Sequence, residues 1–129
     1  MAASESRARG ATAALLSARV AYGVALIAVP AKAAGHRWLG PGAGAGPAQV
    51  GLRGLGAREA VLHGLALAAL WRGGPVRPLL LAGVVGDVTD VAATAAAREE
   101  LPQGSAVATA LVGGGAALLN VAAAVFLDE

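Results

Sequence analysis

The segment GVVGDVTDVAATAAAR, residues 83–98, consists almost wholly of small and apolar residues, yet Asp87 and Asp90 lie near its middle. Its composition is typical of a buried helix, and positions three apart share one face of a helix. An ionised carboxylate taken out of water is costly unless it is paired and hydrogen-bonded. The segment therefore predicts an inward-facing pair of aspartates that needs cationic partners from elsewhere in the chain.

The composition of the whole chain favours a membrane environment. The 129 residues suffice for one domain, and 57% of them are hydrophobic while only 14% are charged. A soluble domain carries about 25% charged residues. Cysteine is absent, which excludes disulfides and thiolate chemistry. The basic residues are spread along the chain and aromatic residues make up only 3%, so no nucleic-acid partner is expected.

Four apolar segments of about twenty residues follow one another, separated by stretches rich in Gly and Pro. At about 1.5 Å per residue, each helix would span the roughly 30 Å hydrocarbon core of a bilayer. The chain is therefore predicted to be an all-α, four-helix transmembrane bundle in the cell membrane, with the lipid bilayer as its partner. The predicted parts are a flexible N-terminus at 1–10 and one domain at 11–127, with spans at 11–30, 50–71, 76–97 and 106–127.

Two alternatives to this architecture stay open. A soluble helical bundle is the main one. A cleaved signal peptide is the other, with residues 31–33 as the cleavage site, although Arg19 in the apolar stretch argues against it. The orientation is not predicted, because Lys and Arg divide equally between the two sides.

Small residues predict how the helices pack. In lipid, helix association relies on close backbone approach at small residues four positions apart. Gly64 with Ala68 and Gly113 with Ala117 have this spacing. A chain so rich in Gly and Ala is also a candidate for a homo-oligomer or for a membrane partner protein.

Two further residues carry local predictions. Trp38 follows His36 and Arg37 in the longest connection, and it is interpreted as an interfacial anchor or as part of a plain surface loop. Asn120, in the fourth segment, is predicted to form an interhelical hydrogen bond.

The charges within the apolar segments are predicted to meet at one depth. If the second and third segments form a hairpin about the turn at 73–74, Arg58 and Glu59 lie level with Asp87 and Asp90. An unpaired charge at mid-membrane costs at least about 2.5–3.5 kcal/mol, so these residues are expected to face each other.

Arg19 and His63 extend this set. Arg19 lies as far from the end of its segment as Asp87 does from the end of the third segment, so the two residues are predicted to lie at the same level. His63 follows Glu59 by four residues, about one helical turn, and therefore lies on the same face of its helix. Three acids meet two arginines, and a protonated His63 would balance the charge. The predicted intramembrane polar cluster comprises Arg19, Arg58, Glu59, His63, Asp87 and Asp90.

The cluster supports two functional hypotheses. In the first, it only joins helices, and the protein has a structural or accessory role. In the second, it forms a proton- or ligand-responsive site of a transporter-like module, with His63 titrating near neutral pH. A metal site is a weaker hypothesis, because Glu59 and His63 are one residue too far apart for the carboxylate-bridged bundle motif. No catalytic residues, cofactor or enzymatic activity are predicted.

The layout RGLGAREAVLHGLAL, a short turn and then GDVTDVAATAAAR resembles small four-helix integral membrane proteins of high-GC bacteria that are classed as domains of unknown function. In those proteins an Arg in a GAR step precedes the apolar run of the second helix, and a GD..D step lies in the third. Arg58, Asp87 and Asp90 carry the resemblance, which covers roughly residues 11–127. It implies a membrane bundle and no known activity.

Overall fold

The structure, a computed structural model, describes residues 2–127, apart from the side chains of residues 2, 36 and 37. Within this range the chain forms helices and turns and has no strand, which confirms the all-α prediction. The α-helices are α1 (Ala2–Ala28), α2 (Pro30–Ala34), α3 (Gly46–Arg72), α4 (Arg77–Ala96) and α5 (Ser105–Phe126).

The first helix begins earlier than the sequence pattern indicates. Residues 2–10, expected as a flexible N-terminus, form the first turns of α1. Ala, Glu and Arg in this stretch are good helix formers. Nη2 of Arg9 also donates a hydrogen bond to the carbonyl oxygen of Leu70 at 2.6 Å, near the end of α3. This contact ties the start of α1 to a helix terminus that carries negative partial charge.

The long connection between α1 and α3 is broken into short helical turns, as its Gly and Pro content predicts. A π-helical turn over Gly35–Leu39 and a 3-10 turn over Gly40–Gly44 follow α2. Gly40 has a φ of +60°, and a Cβ there would lie 2.7 Å from Cγ of Pro102. The connection therefore packs closely on the turn between α4 and α5.

The turn between α3 and α4 follows from its glycines. Gly73 has a φ of +69° and ends α3, and the N–H of Gly74 donates to the carbonyl oxygen of Ala69 at 2.8 Å. This left-handed termination reverses the chain and forms the predicted hairpin. The observed bounds of α4, Arg77–Ala96, differ by one residue at each end from the predicted segment at 76–97.

The four long helices pack as two pairs. α1 lies along α3 and α4 lies along α5, whereas α3 and α4 share a smaller contact and α1 and α5 touch very little. The backbones of α1 and α3 are closest at Gly23 and Gly56, where a Cβ on either residue would lie 2.6 Å from the carbonyl oxygen of the other. At Gly64, where the sequence predicted close packing, a Cβ would meet only Val20 at 4.0 Å.

Two apolar clusters occupy the two ends of the helix assembly. One contains Leu16, Leu70 and Leu80, and the other contains Leu26 and Leu52. Along α1 and α3, Arg19, Arg58 and Glu59 lie between these two clusters. Apolar packing on both sides thus holds the polar residues at a fixed level.

Three of the described helices are long and apolar enough to cross a membrane by length and composition: Ala3–Ala28, Arg77–Ala96 and Ser105–Phe126. The predicted second span, α3, is not among them. Arg58, Glu59 and His63 interrupt its apolar run and lower its hydropathy. The prediction of membrane-crossing segments is therefore supported for three of the four.

Candidate functional site

Arg19 lies at the centre of the polar residues. Its Nε donates to Oε2 of Glu59 at 2.7 Å, and its Nη2 donates to Oδ1 of Asp87 at 2.6 Å. The two carboxylates are each only 4% exposed. One guanidinium from α1 therefore joins a carboxylate of α3 to a carboxylate of α4, with the strong geometry of charge-assisted hydrogen bonds.

Arg58 extends the network toward the surface. Its Nη2 donates to Oδ2 of Asp90 at 2.8 Å and to Oε1 of Glu59 at 3.3 Å. Asp90 is 28% exposed, the most accessible of the three carboxylates. Glu59 thus accepts from both guanidiniums and is the shared member of the network.

His63 completes the predicted set, and the structure brings all six residues together. Nδ1 of His63 lies 2.8 Å from the carbonyl oxygen of Glu59, so Nδ1 carries the proton and donates. The imidazole is 1% exposed, and its Nε2 has no hydrogen-bond partner among the described residues. Nδ1 also lies 3.5 Å from Oε2 of Glu59, so a protonated ring forms an ion pair with that carboxylate, whereas a neutral ring leaves Nε2 as an acceptor.

The net charge of the network depends on His63. The network holds two guanidiniums and three carboxylates, so a neutral His63 leaves one carboxylate equivalent uncompensated. A protonated His63 balances the count, as in the sequence prediction.

Two glycines of α4 make room for these side chains. A Cβ at Gly86 would lie 3.2 Å from Cζ of Arg58, and a Cβ at Gly83 would lie 3.2 Å from Nε2 of His63. Their role was not predicted from the sequence. The available signal was spacing, since Gly83, Gly86, Asp87 and Asp90 share one helical face.

Asn120, on α5, joins the network through an interhelical hydrogen bond, as the sequence predicts. Its Nδ2 donates to Oδ2 of Asp87 at 3.5 Å, while its Oδ1 has no partner among the described residues. The bond is long and the residue is 1% exposed. Its contribution is therefore small, because the unpaired oxygen offsets the gain.

Asn120→Leu is expected to change the free energy of unfolding by less than about 1 kcal/mol. The substitution removes a weak hydrogen bond and an unsatisfied buried oxygen together. Thermal unfolding of the purified protein in detergent measures the effect. A loss of more than about 2 kcal/mol would mean that Asp87 depends on the Asn120 amide.

No protein-family model, curated protein sequence or solved structure matches this chain. The resemblance to small four-helix membrane proteins therefore stays a prediction, and the geometry alone carries the functional argument.

The described residues do not form a metal centre. Among them, no group of three or more His, Asp or Glu side chains is arranged to hold a metal ion. Instead, the guanidinium of Arg19 occupies the position between Glu59 and Asp87 that a cation would need.

A groove of about 800 Å³ opens onto the network between α1 and α5. Glu59, Asp87 and Asp90 line its floor, and Arg19 and Tyr22 line its α1 side. Most of the remaining lining is apolar and comes from α5. A smaller apolar cavity of about 200 Å³ continues along the same seam, because α1 and α5 touch so little.

Trp38 closes one end of the groove. Its indole N–H donates to Oγ1 of Thr94 at 3.0 Å, and its carbonyl oxygen accepts from the hydroxyl of Ser105. The indole N–H, which an interfacial anchor would present to lipid headgroups, is thus hydrogen-bonded within the protein. Trp38 connects the long loop to α4 and α5.

Proposed function

We propose that this chain is a non-enzymatic, multi-pass protein of the cell membrane with four spanning helices, and that its ion-pair network joins those helices in a structural or accessory role. The observation that carries the proposal is the distribution of polarity. Charged side chains such as Glu59 and Asp87 are buried, while large apolar side chains such as Leu111, Val112 and Leu118 are exposed by more than 70%. This distribution suits a lipid surround, since buried carboxylates and exposed apolar patches are unusual in soluble monomers.

The inclusion of α3 among the spans rests on its packing. It runs along α1, which is apolar enough to cross a bilayer, and both helices contain 27 residues. Glu59 and His63 are buried against neighbouring helices, while Val61 and Leu65 are exposed. Glu59 and His63, which lower the hydropathy of α3, therefore face protein, and apolar side chains face outward, as in a polar transmembrane helix within a bundle.

Alkaline carbonate extraction should leave the tagged full-length protein in the membrane pellet. Reporter fusions at the two ends should also report the same side of the membrane, because four spans return the chain to its starting side. Reporters on opposite sides would indicate three spans and would place α3 outside the bilayer. Release into the supernatant would contradict the proposal that the chain is a membrane protein. A soluble protein with the same tag is the control and should be released.

A second candidate function is favoured by one observation. The groove leaves a charged network accessible from one side, which a purely structural network does not require. A ligand-responsive or transporter-like role uses this access.

In the structural or accessory role, the partners of the protein are the bilayer and either a second copy of the chain or a membrane partner protein.

A further inference from the structure

The groove between α1 and α5 has the size and lining of a small-molecule site. Its volume of about 800 Å³ lies within the roughly 300–1,000 Å³ typical of such sites. The inner part of the α5 wall is formed by small residues such as Ala108, Gly113 and Ala116. Charged groups lie on the floor and on the α1 side, and Thr109 is a polar residue of the α5 wall; such a distribution resembles sites that orient an otherwise apolar ligand.

The charge of the groove floor determines the sign of the charge that a bound ligand carries. Three carboxylates, Glu59, Asp87 and Asp90, line the groove with one guanidinium, that of Arg19, whereas Arg58 and His63 are not among the described residues that line it. Asp90 is the most accessible carboxylate of the network, and within the part of the chain that the structure describes Arg58 is its ion-pair partner. An excess negative charge beside apolar walls attracts a cation more strongly than it would in water, because the effective dielectric constant is lower.

The walls select the chemistry of that cation. A small inorganic ion needs several free oxygen ligands, but the floor oxygens already accept hydrogen bonds from Arg19 and Arg58. An organic cation with apolar substituents meets both demands, since its substituents contact the α5 wall while its charge faces the floor. The ring of Tyr22 lines the same space and adds a surface that favours cations.

We propose that the groove between α1 and α5 binds a monovalent organic cation with apolar substituents, such as a quaternary ammonium or phosphonium ion. Cation binding is a second role of the same network, beside the joining of the helices. It does not require the four-span topology, so each proposal is tested separately.

The test compares two probes of nearly the same shape and opposite charge, tetraphenylphosphonium and tetraphenylborate. Equilibrium dialysis is done on the purified full-length protein in an uncharged detergent, with binding to protein-free micelles subtracted. We expect saturable binding of tetraphenylphosphonium, at least about tenfold tighter than that of the borate. Equal binding of the two ions, or none of the cation to folded protein, would overturn the proposal.

Variants at the floor separate charge from packing. Asp90→Asn removes the excess charge and should weaken cation binding at least about tenfold, while Asp90→Glu keeps the charge and should bind within about threefold of the wild type. Asp90 is partly exposed and Glu59 stays as a partner of Arg58, so the fold is expected to persist, and circular dichroism checks it. Unchanged binding by Asp90→Asn would contradict the assignment of the site.

Two neighbouring glycines of α5 give a matched pair for the wall. A Cβ at Gly114 or at Gly115 meets nothing within 4 Å, but only Gly115 is among the residues that line the groove. Gly115→Leu should fill the groove and abolish saturable cation binding, whereas Gly114→Leu should leave it unchanged. The same effect from both variants would show that the cation does not occupy this groove.

Discussion

Arg19→Leu should lower the free energy of unfolding by about 3–5 kcal/mol, the usual cost of removing one partner from a buried ion pair. The guanidinium of Arg19 bonds to Glu59 and Asp87, and both carboxylates are almost completely buried. Without it, the long contact from Asn120 is the side-chain hydrogen bond that Asp87 keeps among the described residues. In cells we expect little folded protein, and unfolding of the purified protein in detergent gives the magnitude.

Two further variants decide whether the network causes this loss. Arg7→Leu removes an exposed arginine from the same helix and should change stability by no more than about 0.5 kcal/mol. The double variant Arg19→Leu with Asp87→Asn should recover part of the loss, because Glu59 keeps its contact with Arg58 and the variant removes the carboxylate that loses its guanidinium partner. If Arg19→Leu is as stable as the wild type, water reaches the carboxylates and the buried network is not what joins the helices.

Gly56→Ala should destabilise the protein by about 1–3 kcal/mol or more, because the added methyl group meets backbone and not a flexible side chain. The new Cβ would lie 2.6 Å from the carbonyl oxygen of Gly23 and 2.8 Å from Cβ of Leu26. α1 and α3 must then move apart at the level where Arg19 reaches Glu59. The change in thermal stability in detergent, and the yield of folded protein, measure the effect.

Gly64→Ala is the matched control in the same helix. Its Cβ would meet only Cγ2 of Val20 at 4.0 Å, and alanine is favoured over glycine in a helix interior by up to about 1 kcal/mol. We therefore expect this variant to be as stable as the wild type or slightly more stable. A larger loss at Gly64 than at Gly56 would mean that α1 and α3 cross at a different level from the one described.

The composition of the polar network followed from the sequence with little further information. Charges are rare in the apolar segments, and each is too costly to leave unpaired, so the few that occur must meet. Helical rise and the position of the turn at Gly73 placed Arg58 and Glu59 level with Asp87 and Asp90. No comparable reasoning located the helix crossing at Gly23 and Gly56, because many Gly and Ala residues in this chain have the spacing of a close contact.

The all-α character and three apolar helices of membrane-spanning length were determined by the sequence alone, since periodicity, turn residues and the scarcity of charge are local properties. Only the tertiary structure decided which side chain pairs with which, and that Nε2 of His63 has no hydrogen-bond partner among the described residues. It also decided that α1 and α5 stay apart and leave a groove over the network. These features depend on distances between helices, which packing at single glycines sets and which no pattern along one helix encodes.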